Sequence, residues 1–333
     1  MSQYHFPLVD DLFGDGVKQE PIRAGFGRGL LAAGKENDQV VALCADLTES
    51  TQMHLFKNEF PGRFVEIGVA EQNLVTVAAG LARVGKVPFT SSYAAFSPGR
   101  NWEQIKTTAA LNDLPVKVIG SHAGVSVGPD GATHQMLEDI AIMRAMPNMI
   151  VLAPGDSVEA EKATRAMAEN SKPTYMRLAR EKTPVFTRDD SPFEIGRAYV
   201  LREGHDITLI GTGTMSYQLL VAAAELEKHG VQAEVVHAPT IKPLDDATIV
   251  ASVRKTGRIL TAEEAQIIGG LGGAVAELLS EKLPTPLLRI GMEDRFGESG
   301  SPAELLEYFG MTGAKIAAKA KVFVDGTPKY HQW

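Results

Sequence analysis

Glu71, in the stretch "GVAEQN", opens a segment whose apolar residues Leu74, Val77, Ala78 and Leu81 recur at the spacing of one helix face. Its carboxylate therefore stands at a helix N-terminus, where the helix dipole stabilises negative charge by about 0.3–1 kcal/mol. That alone accounts for an acid at this position. The setting adds a second meaning. The preceding strand "RFVEIG" and the glycine turn after it place Glu71 at the mouth of a parallel sheet, where ligands bind. Val69, Ala70 and Leu74 around it are apolar, so a partly desolvated carboxyl would hold a proton more readily. Downstream, "SSYAAFSPGRNW" offers Tyr93 and Phe96 as walls for a flat ring. A ring nitrogen held between an aromatic wall and a half-buried carboxyl is the chemistry this pairing suits.

A glycine-rich loop, "SHAGVSVGPDGATHQ", follows the strand "PVKVIG" and carries His122, Asp130 and His134. As a metal site it fails on ligand count, with two histidines, one nearby aspartate and no cysteine. Ordinary polar loop residues are an equal reading for either histidine taken singly. Against that, a long ordered loop at a strand's C-terminal end is where function concentrates.

These side chains need strands and helices in alternation to hold them. "VVALCAD" (40–46), "RFVEIG" (63–68), "PVKVIG" (115–120), "MIVLAP" (149–154) and "TYMRLAR" (174–180) read as buried strands. "GDSVEAEKATRAMAEN" reads as a helix capped by Asp156 or Ser157. The alternation implies parallel pairing with helices on both faces. A linker is expected at 182–196, "KTPVFTRDDSPFEIG", and a second α/β pattern after it. There "DITLIGTG", "QAEVVHA", "GRILTAEE" and "PLLRIG" are strands, with helices near 217–229 and 271–282. Two glycine-rich stretches, "GTGTMS" (211–216) and "GGLGGAVAE" (269–277), each miss part of the dinucleotide-binding pattern and read as tight turns at helix N-termini.

Composition narrows the class. The chain has 333 residues, 44% of them hydrophobic, and a net charge of −8, which suits two soluble domains and argues against nucleic acid as a partner. Its single cysteine, Cys44, fits a reducing compartment. The N-terminus lacks a secretory pattern, and no apolar run nears the roughly 20 residues of a membrane span, so a cytoplasmic location without membrane contact is expected.

Three stretches carry a family resemblance. "FVEIGVAEQNLVTVAAGLA", "SHAGVSVGPDGATHQMLEDIAIMRAMPNMIVLAP" and "DRFGESGSPAELLEYFGMT" together resemble the C-terminal half of a transketolase, in matching order from about Arg23 to Thr312. The resemblance implies an α/β fold of two successive three-layer αβα domains. These are the pyrimidine-binding fold of thiamine-diphosphate enzymes at 21–188, after an N-terminal lead at 1–20, and the transketolase C-terminal domain at 192–325. It also implies roles. Glu71 falls on the glutamate that hydrogen-bonds the aminopyrimidine ring of thiamine diphosphate, favouring the imino tautomer that deprotonates the thiazolium carbon. Asp46 matches a carboxylate lining the cofactor pocket, and Tyr93 and Phe96 match its aromatic wall, although the family's aromatic run has more rings. His134 belongs to the histidines that lead protons to and from sugar hydroxyls, an imidazole's task near neutral pH. Asp130 matches the carboxylate that reads a sugar hydroxyl. His122 reaches the substrate's phosphate end, and Arg23, Ser50 and Arg180 match the phosphate grip, where arginine's planar donor fork suits the ligand. Ala132 stands where the family usually has proline, a change of loop stiffness more than of chemistry.

Gly14-Asp15-Gly16 has the opening of the family's metal- and diphosphate-binding motif, but no strand precedes it and Asn37 lies in a polar turn, so it reads as a decoy. The diphosphate-binding domain, with the Mg2+ or Ca2+ it holds, is then expected on a separate N-terminal subunit, in an α2β2 heterotetramer. The activity implied is transfer of a two-carbon glycolaldehyde unit from a ketose phosphate to an aldose phosphate, in pentose-phosphate metabolism or a specialised sugar route. Two alternatives stay open: the β subunit of another thiamine-diphosphate enzyme, of the 2-oxo acid dehydrogenase or deoxyxylulose-phosphate synthase type, and a non-catalytic regulatory subunit.

Overall fold

The computed structural model describes residues 4–329. The first half runs β1 (Gln19–Pro21), α1 (Ile22–Glu36), β2 (Val40–Cys44), α2 (His54–Glu59), β3 (Phe64–Glu66), α3 (Glu71–Arg83) and β4 (Val87–Tyr93). It continues through α4 (Trp102–Gln104), a π-helical turn, β5 (Lys117–Ser121), α5 (Asp139–Arg144), β6 (Ile150–Leu152), α6 (Ser157–Glu169), β7 (Thr174–Arg177) and β8 (Lys182–Pro184). The second half contains β9 (Tyr199–Arg202), β10 (Ile207–Gly211), α7 (Met215–Lys228), β11 (Ala233–His237), β12 (Thr240–Lys242) and α8 (Asp246–Thr256). After these come β13 (Ile259–Gln266), α9 (Leu271–Lys282), β14 (Leu287–Met292), α10 (Pro302–Tyr308) and α11 (Gly313–Gly326).

A seven-stranded sheet, ordered β12-β6-β7-β5-β4-β2-β3, forms the middle layer of the first half. Its strands are parallel except for β12. Alternation along β2 sorts the residues between two cores. Val40, Ala42 and Cys44 join Phe26, Leu30 and Met167 on one face; Val41 and Leu43 join Leu74, Val75 and Ile105 on the other. All five residues of β2 are buried, as a parallel strand covered by helices on both sides requires. The second sheet, β14-β13-β10-β11-β9, is parallel except for β9.

Several elements were not anticipated from the sequence, and three of them show why. Helix α1 holds glycines at 25, 27, 29 and 34, which weaken helix propensity. The fold uses them for close approach: a Cβ on Gly25 would overlap the carbonyl of Ser157 in α6. Strand β4 carries Pro88 and the polar run Thr90-Ser91-Ser92, yet all three polar residues are fully buried. Strand β12 leaves the second half to pair antiparallel with β6, and Lys242 Nζ donates to the carbonyls of Arg144 and Met146.

The stretch expected as a linker is a seam. Its β8 pairs antiparallel with β1, and the Asp156 carboxylate that caps α6 through Glu159 N–H also accepts bonds from Phe186 N, Thr187 N and Thr187 Oγ1. Gly14-Asp15-Gly16 lies in a turn ahead of β1, beside Leu12, whose carbonyl accepts a bond from Tyr217 in α7. No described helix is long and apolar enough to cross a membrane.

At "GGLGG" the N-terminus of α9 is already filled by the chain itself. Buried Glu263 accepts from Leu271 N and Gly272 N, each at 2.8 Å, and burial pushes its carboxyl up to about 7. An unfolded glutamate releases its proton near 4.5, so the native state holds a proton that the unfolded chain has lost between those values. Stability therefore falls as pH rises through that window. Replacing Glu263→Gln should remove about 3 kcal/mol of that fall, read as the change with pH in the wild-type-minus-variant unfolding free energy from urea titrations at pH 4.5 and 7.5. A difference that stays constant with pH would refute the assignment.

Candidate active site

The carboxyl ends of β2, β3, β4, β5 and β7 lie side by side, and each leads into a segment bearing a predicted site residue. Asp46 and Ser50 follow β2, Glu71 follows β3, Tyr93 ends β4 with Phe96 just beyond, His122 follows β5, and Arg180 follows β7. Arg23 joins them from the first turn of α1.

Glu71 is 2% exposed. Its Oε2 accepts a 2.6 Å bond from Arg100 Nη1, and its backbone carbonyl accepts from Asn101 Nδ2 at 2.8 Å. No described residue hydrogen-bonds its other oxygen, Oε1. The desolvation that the sequence suggested for this carboxyl is matched by its burial, and Arg100 is the partner that the sequence did not suggest. The guanidinium of Arg100 also lies over the Phe96 ring, 4.7 Å from its centroid. Phe96 faces Tyr93 at 6.1 Å, Tyr93 stacks on His122 at 3.9 Å, and Phe96 meets His134 edge-on at 5.5 Å. One continuous row thus joins the buried acid to both histidines.

Each histidine has its Nδ1 bound to the hydroxyl of its neighbour in sequence, Ser121 for His122 at 2.8 Å and Thr133 for His134 at 2.9 Å. No described residue hydrogen-bonds Nε2 of either ring. His122 takes a left-handed backbone conformation (φ 59°), as Asp46 does (φ 58°). Held strain of this kind clusters at functional sites. Burial, then the charges of Arg23, Arg180 and His134, lower the His122 pKa to about 3, so its imidazole is neutral at physiological pH.

The two arginines are tied to each other and to the loop. Arg23 Nη1 donates to the carbonyl of Arg180, and Arg180 Nη1 donates to the Val127 carbonyl at 2.6 Å and stands 3.9 Å from Asp130. Arg23 Nε is buried without a hydrogen-bond partner among the described residues. An orphaned cationic donor calls for an acceptor from outside the chain. Asp46 and Ser50 stand apart from this cluster: no hydrogen bond or ion pair links either side chain to it among the described residues. The Asp46 backbone N–H donates to Glu66 Oε1 at 2.7 Å.

Arg100 and Ser121 were missed from the sequence. The signal for Arg100 was an arginine next to the loop glycine in "SPGRNW", shortly after the aromatic pair. For Ser121 there was none, since a serine at a strand end is unremarkable until its hydroxyl meets a ring nitrogen.

The pattern defining the transketolase pyrimidine binding domain matches residues 18–185, and that of the transketolase C-terminal domain matches 196–316. A 6-deoxy-6-sulfo-D-fructose transketolase subunit of a Clostridium species is 42% identical over 87% of this chain and 90% of its own. One of the apulose-4-phosphate transketolase subunits of Phocaeicola vulgatus is 36% identical over 91% and 97%. Human transketolase is 37% identical, over 89% of this chain but 48% of its own. A solved structure described as a split gene transketolase, inactive beta4 tetramer, superposes with a TM-score of 0.86 at 43% identity, covering 92% of this chain and 98% of that one.

His122 gives the prediction for this site. In histidine-labelled protein its ring nitrogens should keep the neutral pattern from pH 8 down to about 4. Nitrogen NMR would read this directly, and titration near the unperturbed value of 6.5 would show that the ring is solvated and unstacked.

Proposed function

This chain belongs to the transketolase family, and on that premise we propose that it is the C-terminal subunit of a two-chain transketolase dependent on thiamine diphosphate. It would work with a separate subunit carrying the diphosphate-binding domain and its metal, in an α2β2 assembly. Together they would move a two-carbon glycolaldehyde unit from a ketose to an aldose whose far end carries an anionic group. The observation that carries this reading is the aromatic row from buried Glu71 to the two histidines, ending beside paired arginines. Two relatives matched over nearly their whole length are named as subunits, and the split-gene structure supports a chain of this size as a unit of assembly.

The side chains present suit the cofactor. Glu71 keeps Oε1 unengaged, and Phe96 and Tyr93, linked to it through Arg100, provide flat surfaces. Bound thiamine diphosphate would supply the electron sink that allows the ketose C2–C3 bond to break. Glu71 would hold a proton in place at the pyrimidine ring nitrogen. His134, half exposed at the end of its loop, would take the hydroxyl proton released as that bond breaks and return it in the second half-reaction. Neutral His122 can make a hydrogen bond at Nε2 without adding charge next to the arginines. Asp130 would read a sugar hydroxyl, and Arg23 and Arg180, with Ser50, would grip the terminal anion. The relatives' names include one phosphate and one sulfonate substrate, and both end in tetrahedral oxyanions that such a fork can bind.

With the partner chain present, Glu71→Ala should lower kcat by roughly 100-fold or more, measured by coupled assay of aldose consumption. Activity near wild type would overturn the cofactor assignment. Arg180→Ala should raise KM about 10- to 100-fold for sugars with a terminal phosphate or sulfonate and leave neutral sugars nearly unchanged. Equal effects on both classes would refute the anion grip.

A further inference from the structure

We propose that Glu264, which belongs to the C-terminal domain, is a positioning residue for the reaction. It acts as the clasp that fixes loop 123–135, on which Asp130 and His134 are carried. This rests on the roles given above to those two residues.

The loop closes at its base within its own domain, where Ala123 bridges Met136 and Gly124 N donates to the Met136 carbonyl. Its arc has no regular sheet or long helix to stiffen it. The second domain supplies the missing restraint at two points. Glu264 on β13 is 2% exposed, and its Oε1 accepts a 2.6 Å bond from Ser126 N. Its Oε2 accepts from Thr214 Oγ1, at the start of α7, at 3.0 Å. Gln135 Nε2 then spans the loop, donating to Val125 O at 3.0 Å and to Glu298 O of the second domain at 2.8 Å. The glycines permit this fit. Gly124, Gly128 and Gly131 all have positive φ, and a Cβ on Gly124 would overlap Glu264 Oε1, while one on Gly131 would overlap Ser299 Oγ.

A buried carboxylate normally needs a cation, and none of the described cationic side chains forms an ion pair with that of Glu264. Both oxygens are spent on orienting groups: the loop amide and the threonine that anchors the acid. The Glu264 backbone is fixed as well, because its carbonyl accepts a 2.6 Å bond from Arg177 Nη2, which follows Met176 on β7 of the first domain. Glu264 is therefore held from both domains while it holds the loop. Thr214 lies in "GTGTMS", so that glycine-rich turn serves this contact rather than a nucleotide.

The test compares Glu264→Ala with Glu264→Gln in the full chain, with and without its partner subunit. Alanine removes the acceptor for Ser126 N, whereas glutamine keeps a carbonyl for it. In hydrogen exchange read by mass spectrometry, amides in 123–135 should exchange at least about tenfold faster in the alanine variant, with glutamine restoring most of the protection and the helix at 71–83 unchanged. In the assembled enzyme, kcat should fall roughly 10- to 100-fold with alanine, with a much smaller change in thiamine diphosphate affinity. If alanine destabilises the chain too far, Thr214→Val and Gln135→Met each loosen one strap and should speed exchange in the same segment to a smaller degree. Wild-type exchange in 123–135 in all these variants would overturn the clasp. Faster exchange in an assembly that turns over no ketose would instead uphold the clasp and remove the enzymatic reading beneath it.

Discussion

Parallel pairing of β3, β2, β4, β5 and β7 sends five strands out of one edge of a sheet, and the chain must turn at that edge each time. Each turn exposes backbone and side chains to a common crevice before the next helix begins. That constraint explains why residues as far apart as Arg23 and Arg180 meet, and why Glu71, Tyr93 and His122 line up. It also explains what the crevice lacks. One wall comes from this sheet and another from the second domain, while Asp46 and Ser50 remain at the rim without partners inside the cluster. A cofactor with a flat ring and a charged tail would need further contacts there, which fits the proposed two-chain assembly.

Buried carboxylates recur at the junctions of this molecule, and each is satisfied differently. Glu71 has a guanidinium, Asp156 has three backbone amides and a hydroxyl, Glu263 has two amides of a helix start, and Glu264 has one amide and one hydroxyl. Asp139 takes both Tyr175 Oη and Arg177 Nε. Such groups are poor sources of net stability, because desolvation offsets most of what the pairing returns. Their benefit is geometry. An acid that must face two amides fixes the orientation of the backbone carrying them, and two of the five, Asp156 and Glu264, tie together segments of the two halves or their connecting seam.

Periodicity made much of this fold legible. β2, β11 and α9 follow directly from apolar runs and spacing, and α3 from the face that includes Leu74 and Ala78. What stayed hidden was whatever the tertiary fold made favourable against local preference. Four glycines disguise α1 until α6 is packed on it, and a buried Thr-Ser-Ser run disguises β4 until Lys117 O accepts from Thr90 at 3.3 Å. β12 could not be foreseen at all, since its partner β6 lies in the other half of the chain. The site divides in the same way. Residue types and family order pointed to Glu71, His122 and His134, whereas the stacking of Tyr93 on His122 rather than directly on Glu71 depends on rotamers that no spacing reveals. Arg100 was hidden because an arginine after a turn is ordinarily a solvated one.

The two histidines show how the same side chain is given different work. Both have Nδ1 tied to an adjacent hydroxyl, so neither ring is free to turn. His122 is then buried, stacked on Tyr93, and placed among positive charges that keep it neutral. A cationic imidazole there would add to the anion grip but could no longer accept a hydrogen bond. Neutrality keeps that option while Arg23 and Arg180 supply the charge. His134 stays partly open to solvent, at the end of the arc that the second domain restrains. Proton exchange with water is available to it and not to its partner. The proposed reaction releases a proton in one half and recovers it in the next. That calls for one group able to exchange and one that stays in register with the substrate, and the fold separates the two histidines in that way by burial.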